Sequence, residues 1–99
     1  MLKEEKIFKR EDGTQYKIVA TINVNTYRDE VQWLTSVYYR EKGKIKWLNL
    51  PSDVFYRHLR SMSFEEKIEY NRELALKYVT KEEINSVLLL LWEKIKPSV

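Results

Sequence analysis

Apolar and polar residues alternate through two stretches of the first half of the chain. Tyr16, Ile18, Ala20, Ile22 and Val24 fall on one face, and Lys17, Val19, Thr21 and Asn23 on the other. This period of two is that of a half-buried strand. Val31, Trp33, Thr35, Val37 and Tyr39 repeat the pattern and are predicted to share a core-side face with Ile45 and Trp47. Two glycines punctuate these runs. Asp12-Gly13 predicts a type I′ hairpin that pairs Glu11 with Thr14, Lys9 with Tyr16 and Ile7 with Ile18. Glu41-Lys42-Gly43 suits a three-residue loop with glycine in the left-handed conformation. It would pair Arg40 with Lys44, Tyr39 with Ile45 and Val37 with Trp47. Strands are thus expected near 6–11, 15–24, 31–40 and 44–50.

Beyond Pro51 the spacing becomes helical. Ser52 can cap a short helix from Asp53 to about Arg60. Ser63-Phe64-Glu65-Glu66 and Thr80-Lys81-Glu82-Glu83 both have the capping-box form, a hydroxyl residue followed three positions later by Glu. The first predicts a helix near 64–78 that carries Phe64, Ile68, Leu74, Ala75 and Tyr78 on one side. The second predicts a helix near 81–95 with Ile84, Val87, Leu88, Leu91 and Ile95 at helical spacing. Acidic residues in each first turn, and Lys94 and Lys96 at the far end, suit the helix dipole. The expected fold is α+β. A four-stranded antiparallel meander (6–50) is followed by a short helix and two longer helices (52–96), packed on one sheet face within one domain spanning 1–99.

Composition narrows the chemistry. With no cysteine and one histidine, the chain excludes disulfide scaffolds, thiolate zinc or iron–sulfur sites and histidine-rich metal centres. Both glycines and both prolines serve as punctuation, so none is left for a phosphate loop. The carboxylate pairs Glu65/Glu66 and Glu82/Glu83 sit in helical first turns, where adjacent side chains diverge by about 100°. His58, between Arg57 and the nearby Arg60, is the one candidate general base, as in a small ribonuclease. Asp53 is spaced too far along a helix to orient its ring. These absences point to a protein that is not an enzyme and carries no cofactor or metal.

Two surfaces are candidates for binding. Arg40, Lys42, Lys44, Lys46, Arg57 and Arg60, opposed by Glu41 and Asp53, concentrate a charge of +4 between residues 40 and 60 of a chain whose net charge is +3. With Tyr38 on the same sheet face as Arg40, Lys44 and Lys46, this is the layout that tracks a phosphate backbone and stacks a base. An RNA- or single-strand-binding module is one reading. Basic hairpin tips also keep sheet edges soluble. The other surface is apolar. Val19, Leu34, Tyr38, Leu48 and Leu50 are expected on the outer sheet face, and Leu89, Leu90 and Trp92 widen the stripe of the last helix. A patch formed by Leu34, Tyr38, Leu48, Leu50 and Trp92 would dock on a partner protein or on a second copy of the chain as a homodimer.

Abundant Lys, Glu, Ile, Asn and Tyr with scarce Ala, Gly and Pro suggest AT-rich coding, typical of a low-GC bacterium or a phage. The leading expectation is therefore a phage or mobile-element accessory protein that inhibits or redirects a partner. The charged N-terminus lacks the apolar stretch of a signal peptide. The longest apolar run, Val87–Trp92, is far shorter than the ~20 residues that span a bilayer. A cytoplasmic protein without membrane association is expected, in the host cytoplasm if phage-encoded.

Overall fold

The computed structural model describes residues 1–25, 27–50, 54–59, 61, 63–66, 68–70 and 75–95, with backbone alone for 54–59, 66 and 68–70. Six strand segments and one helix follow in order: β1 (Leu2–Lys9), β2 (Gln15–Asn25), β3 (Glu30–Arg40), β4 (Leu48–Asn49), β5 (Val54–Leu59), β6 (Ile68–Tyr70) and α1 (Lys81–Ile95). Single 3₁₀ turns occupy Phe64–Glu66 and Ala75–Lys77. All strand pairings are antiparallel. The sheet runs β1-β2-β3-β5-β6, and β4 pairs beside β5 along the same edge of β3.

The core lies between one sheet face and α1. Ile18, Ala20 and Ile22 of β2 and Val31, Trp33, Thr35 and Val37 of β3 are buried, on the faces their alternation predicts. Against them α1 buries Ile84, Val87, Leu88, Leu91 and Ile95, and packs across β1 and β2. Ala75 and Val79 complete the buried set. Trp33, fully buried, meets Phe64 edge-on at 6.1 Å and the tilted ring of Trp92 at 6.3 Å between centroids.

The expected fold is corrected in its helical half. The chain has one long helix among the described residues, so the architecture is α+β only in this looser sense. Where a short helix is expected at 53–60, β5 forms and pairs with β3 from Glu30↔Leu59 to Thr35↔Val54. Without it, β3 would present a row of unpaired backbone groups. Val54-Phe55-Tyr56 is also a β-branched and aromatic run suited to a strand. The helix expected at 64–78 is replaced by a 3₁₀ turn, then β6 on the edge of β5, then a second 3₁₀ turn. A cap contributes only about 1 kcal/mol, and tertiary strand pairing outweighs it here. Leu74 and the cap residue Ser52 lie outside the described residues.

Both hairpin registers also differ from expectation. In the first, Arg10 N–H donates to Thr14 O (2.8 Å) and Gly13 N–H to Arg10 O (3.0 Å), with Gly13 at φ +91°. The loop is therefore three residues with a glycine bulge, and the ladder runs Lys9↔Gln15, Phe8↔Tyr16, Ile7↔Lys17. One residue of slip exchanges the two faces of β1. Phe8 packs on the core, while Ile7 stands 50% exposed on the outer face. In the second, Tyr39 pairs with Leu48 where Ile45 is expected, a shift of three residues. The strand expected at 44–50 shrinks to β4, Ile45 becomes exposed, and Trp47 moves to the outer face.

Between the Tyr38↔Asn49 and Thr35↔Val54 pairs, β3 advances three residues and the opposing chain five. The edge of β3 is thus covered by two segments offset by two residues. The sequence between them contains Pro51, which has no N–H to give to a ladder.

Candidate nucleic-acid interface

Local pairing brings the outer-face residues of one sheet end together. Gln15 pairs with Arg40, and Lys17 with Tyr38, directly across β2 and β3. Arg40 Nε donates to Gln15 Oε1 at 2.5 Å, and Arg40 Nη1 to Ile45 O at 3.4 Å. The Lys17 ammonium lies 5.2 Å from the Tyr38 ring centroid and 4.8 Å from that of Trp47. The Arg40 guanidinium lies 4.3 Å from the Trp47 centroid. Two cations and two aromatic rings therefore form a single cluster, held by cation–π attraction.

Beside this cluster the two turns meet. A Cβ placed on Gly13 would lie 2.7–2.9 Å from Lys42 Cδ, Cβ and Cγ, so the aliphatic stem of Lys42 packs on the bare backbone of the first turn. Gly43, at φ +82°, has open space around it. Lys44 N–H donates to Glu41 O at 3.0 Å and closes the second turn. A shallow hollow of about 340 Å³ opens between the turns, lined by Lys9, Gln15, Arg40, Glu41, Lys42 and Lys44 as well as both glycines. A second hollow of about 200 Å³, lined by Tyr39, Arg40, Glu41, Lys44, Lys46 and Leu48, adjoins it along the β3 edge.

Two cations away from this end, Arg10 and Lys94, have structural partners. Arg10 forms a bidentate pair with Glu83 at 2.7 and 2.8 Å, donates to Tyr78 O at 3.3 Å, and lies 5.0 Å from the Tyr16 ring centroid. Lys94 pairs with Glu4. The Arg10 hydrogen bonds hold the Glu83 carboxyl below the usual glutamate range against the opposing effect of burial, and Thr80 adds to the lowering. The side-chain ammoniums of Lys9, Lys42, Lys44 and Lys46, by contrast, form no ion pair or hydrogen bond with any other described residue.

Of the sequence-predicted basic set, Tyr38, Arg40, Lys42, Lys44 and Lys46 come together at this end. Arg57 sits on β5 in register with Gln32, and Arg60 lies outside the described residues. His58 is a strand residue in register with Val31, so its expected helical neighbourhood does not form. The apolar set is dispersed. Leu34 and Tyr38 belong to the outer face, whereas Leu48 pairs with the inward-facing Tyr39. Leu50, whose N–H donates to Val37 O at 2.9 Å, packs against the core, as does Trp92.

Sequence reasoning missed Lys9, Gln15, Lys17 and Trp47. Lys9 becomes visible once the glycine-bulge register puts it on the face of Arg40, and Gln15 and Lys17, outward-facing by alternation, once the β2–β3 register sets them opposite Arg40 and Tyr38. Trp47 was concealed by the expected short loop. Among the described residues no cluster of three or more His, Asp or Glu could hold a metal, and no helix is long and apolar enough to cross a membrane. Comparison of the chain with protein-family models, curated proteins and solved structures gave no match.

Proposed function

We propose that the protein is a non-catalytic binding module for single-stranded nucleic acid, RNA above all, which it takes on the cationic–aromatic end of its sheet. The observation that carries this reading is the meeting of Trp47 and Tyr38 with Lys17 and Arg40, beside four lysines whose ammoniums pair with no described carboxylate. Aromatic rings offer a stacking surface to any base, and the cations follow the phosphates, a combination that favours strands with unpaired bases. Only a few phosphates can be reached, so binding is modest and sensitive to salt. Fluorescence anisotropy with labelled oligouridylate tests it. Trp47→Ala and the pair Lys44→Glu/Lys46→Glu should each weaken binding at least tenfold while the circular dichroism spectrum stays that of the parent protein. Full affinity in both variants removes the reading.

A second reading, an accessory protein that occludes an acidic partner protein, draws on Ile45. This side chain is 88% exposed at the tip of the same cationic loop, and Leu34 and Leu48 are also solvent-exposed. An apolar anchor ringed by lysines suits a protein surface better than a phosphate track. Capture from a lysate with and without nuclease separates the two: partners that persist after nuclease treatment and are lost with Ile45→Glu or Leu48→Glu favour the protein.

A further inference from the structure

We infer that the hollow between the two glycine turns is a phosphate subsite, which seats the phosphate flanking the base stacked on Trp47; this placement of the base rests on the proposed function. Three observations support the inference. Lys9, Lys42 and Lys44 line the hollow together with Arg40, against the single carboxylate of Glu41. The lysine ammonium groups have no hydrogen-bond or ion-pair partner among the described residues, so their charge is available to an external anion. The site is also fixed in shape, because the Lys42 stem rests on Gly13 where a Cβ would stand, and this contact locks one turn to the other.

Arg40 joins the subsite to the stacking surface. Its guanidinium lies against Trp47, its Nε is held by Gln15, and both Arg40 and Gln15 line the hollow. A base on Trp47 would therefore place its neighbouring phosphate toward the cluster of lysines. Arginine suits this junction, since its planar fork can stack on a ring while its remaining N–H groups bind phosphate oxygens. The phosphate could be an internal diester or a terminal monoester, and the chemistry recognised is the same.

Amide NMR spectra recorded during titration with pyrophosphate test the subsite directly. Saturable shifts confined to Gly13 and the Lys42–Lys44 turn, and abolished in Lys42→Gln/Lys44→Gln, are expected. Shifts that are absent, unsaturable or spread evenly over the surface overturn the inference. In a second arm, octauridylates with a 5′-phosphate or a 5′-hydroxyl are compared on the parent protein, on Lys42→Gln/Lys44→Gln and on Lys3→Gln/Lys77→Gln. The last pair removes equal charge from exposed positions outside the hollow. The expected result is a loss of tenfold or more confined to the hollow variant, with its salt slope reduced by about 0.7 per phosphate contact removed. Tighter binding of the 5′-phosphate form identifies a terminal phosphate, and equal binding an internal one. Equal losses in both double variants mean diffuse attraction and overturn the subsite while leaving RNA binding in place. Pyrophosphate binding without oligonucleotide binding leaves the subsite and removes the RNA reading.

Discussion

Gly13 and Gly43 hold nearly the same backbone conformation, at φ +91° and +82°, but their surroundings separate them. An alanine at either position carries the left-handed penalty of about 1–2 kcal/mol. At Gly43 nothing else opposes it. At Gly13 the new methyl would also meet the Lys42 stem at 2.7–2.9 Å, including Cβ, which cannot swing aside as a side-chain tip can. Gly13→Ala should therefore lower the urea midpoint more than Gly43→Ala does. Adding Lys42→Ala to Gly13→Ala should recover only part of the excess, since it removes Cγ and Cδ of the obstructing stem but leaves Cβ. Equal effects of the two glycine variants would show that the turns do not press on each other. Asp12 adds a local reason for the turn: its carboxylate accepts the Thr14 N–H at 2.9 Å, which holds the carboxyl below its ordinary range.

At the scale of elements, α1 was the most legible part of the sequence and the 52–78 segment the least. For α1, the capping box forms as written. Glu83 N–H donates to Thr80 Oγ1 at 3.1 Å, and Thr80 N–H to Glu83 Oε1 at 2.9 Å. The apolar spacing of the helix matches its buried stripe. Local signals and tertiary packing agree there. At Ser63 the same capping pattern loses to strand pairing, because the edge of β5 needs a partner that a local reading cannot count. The faces of β2 and β3 were legible because alternation depends on neither turn. The facing of β1 and of Trp47 was not, because one or three residues of register decide it. Lys9 and Trp47 were concealed for that reason.

The same helix start carries a pH prediction. Glu83 both closes the capping box and pairs with Arg10, and its folded-state carboxyl titrates below the usual value. A carboxyl lowered by folding stabilises the native state fully above its unfolded pKa, and that stabilisation is lost as pH falls through the folded one. Stability should thus decline as pH falls below about 4.5, the ordinary glutamate value. Glu83→Gln, which keeps a capping acceptor but has no charge, should flatten this decline and cost about 1 kcal/mol near neutrality. Denaturation midpoints across the acid range check both. An unchanged acid slope in Glu83→Gln would assign the decline to other carboxylates.

For the whole molecule, charge is divided by role. On the core side Arg10 is matched with Glu83 and Lys94 with Glu4, whereas the ammoniums of Lys9, Lys42, Lys44 and Lys46 stand together at the turn end without ion-pair partners among the described residues. Salt should therefore separate stability from binding. The matched pairs are partly exposed and worth about 0–1 kcal/mol each, so screening them shifts the unfolding midpoint little. Screening also weakens the mutual repulsion of the unpaired lysines, which offsets part of even that loss. Binding of a single strand has no such offset, because each phosphate neutralised releases counterions at about 0.7 per contact. Three to five contacts give a slope of log affinity on log salt between about −2 and −3.5. A thermal melt and an anisotropy titration over one series of salt concentrations supply both readings from one preparation. A nearly constant melting temperature beside a steeply falling affinity is the expected pair. If affinity were flat while the melting temperature moved, the unpaired lysines would be acting on the fold, and the turn end would lose its role as the binding surface.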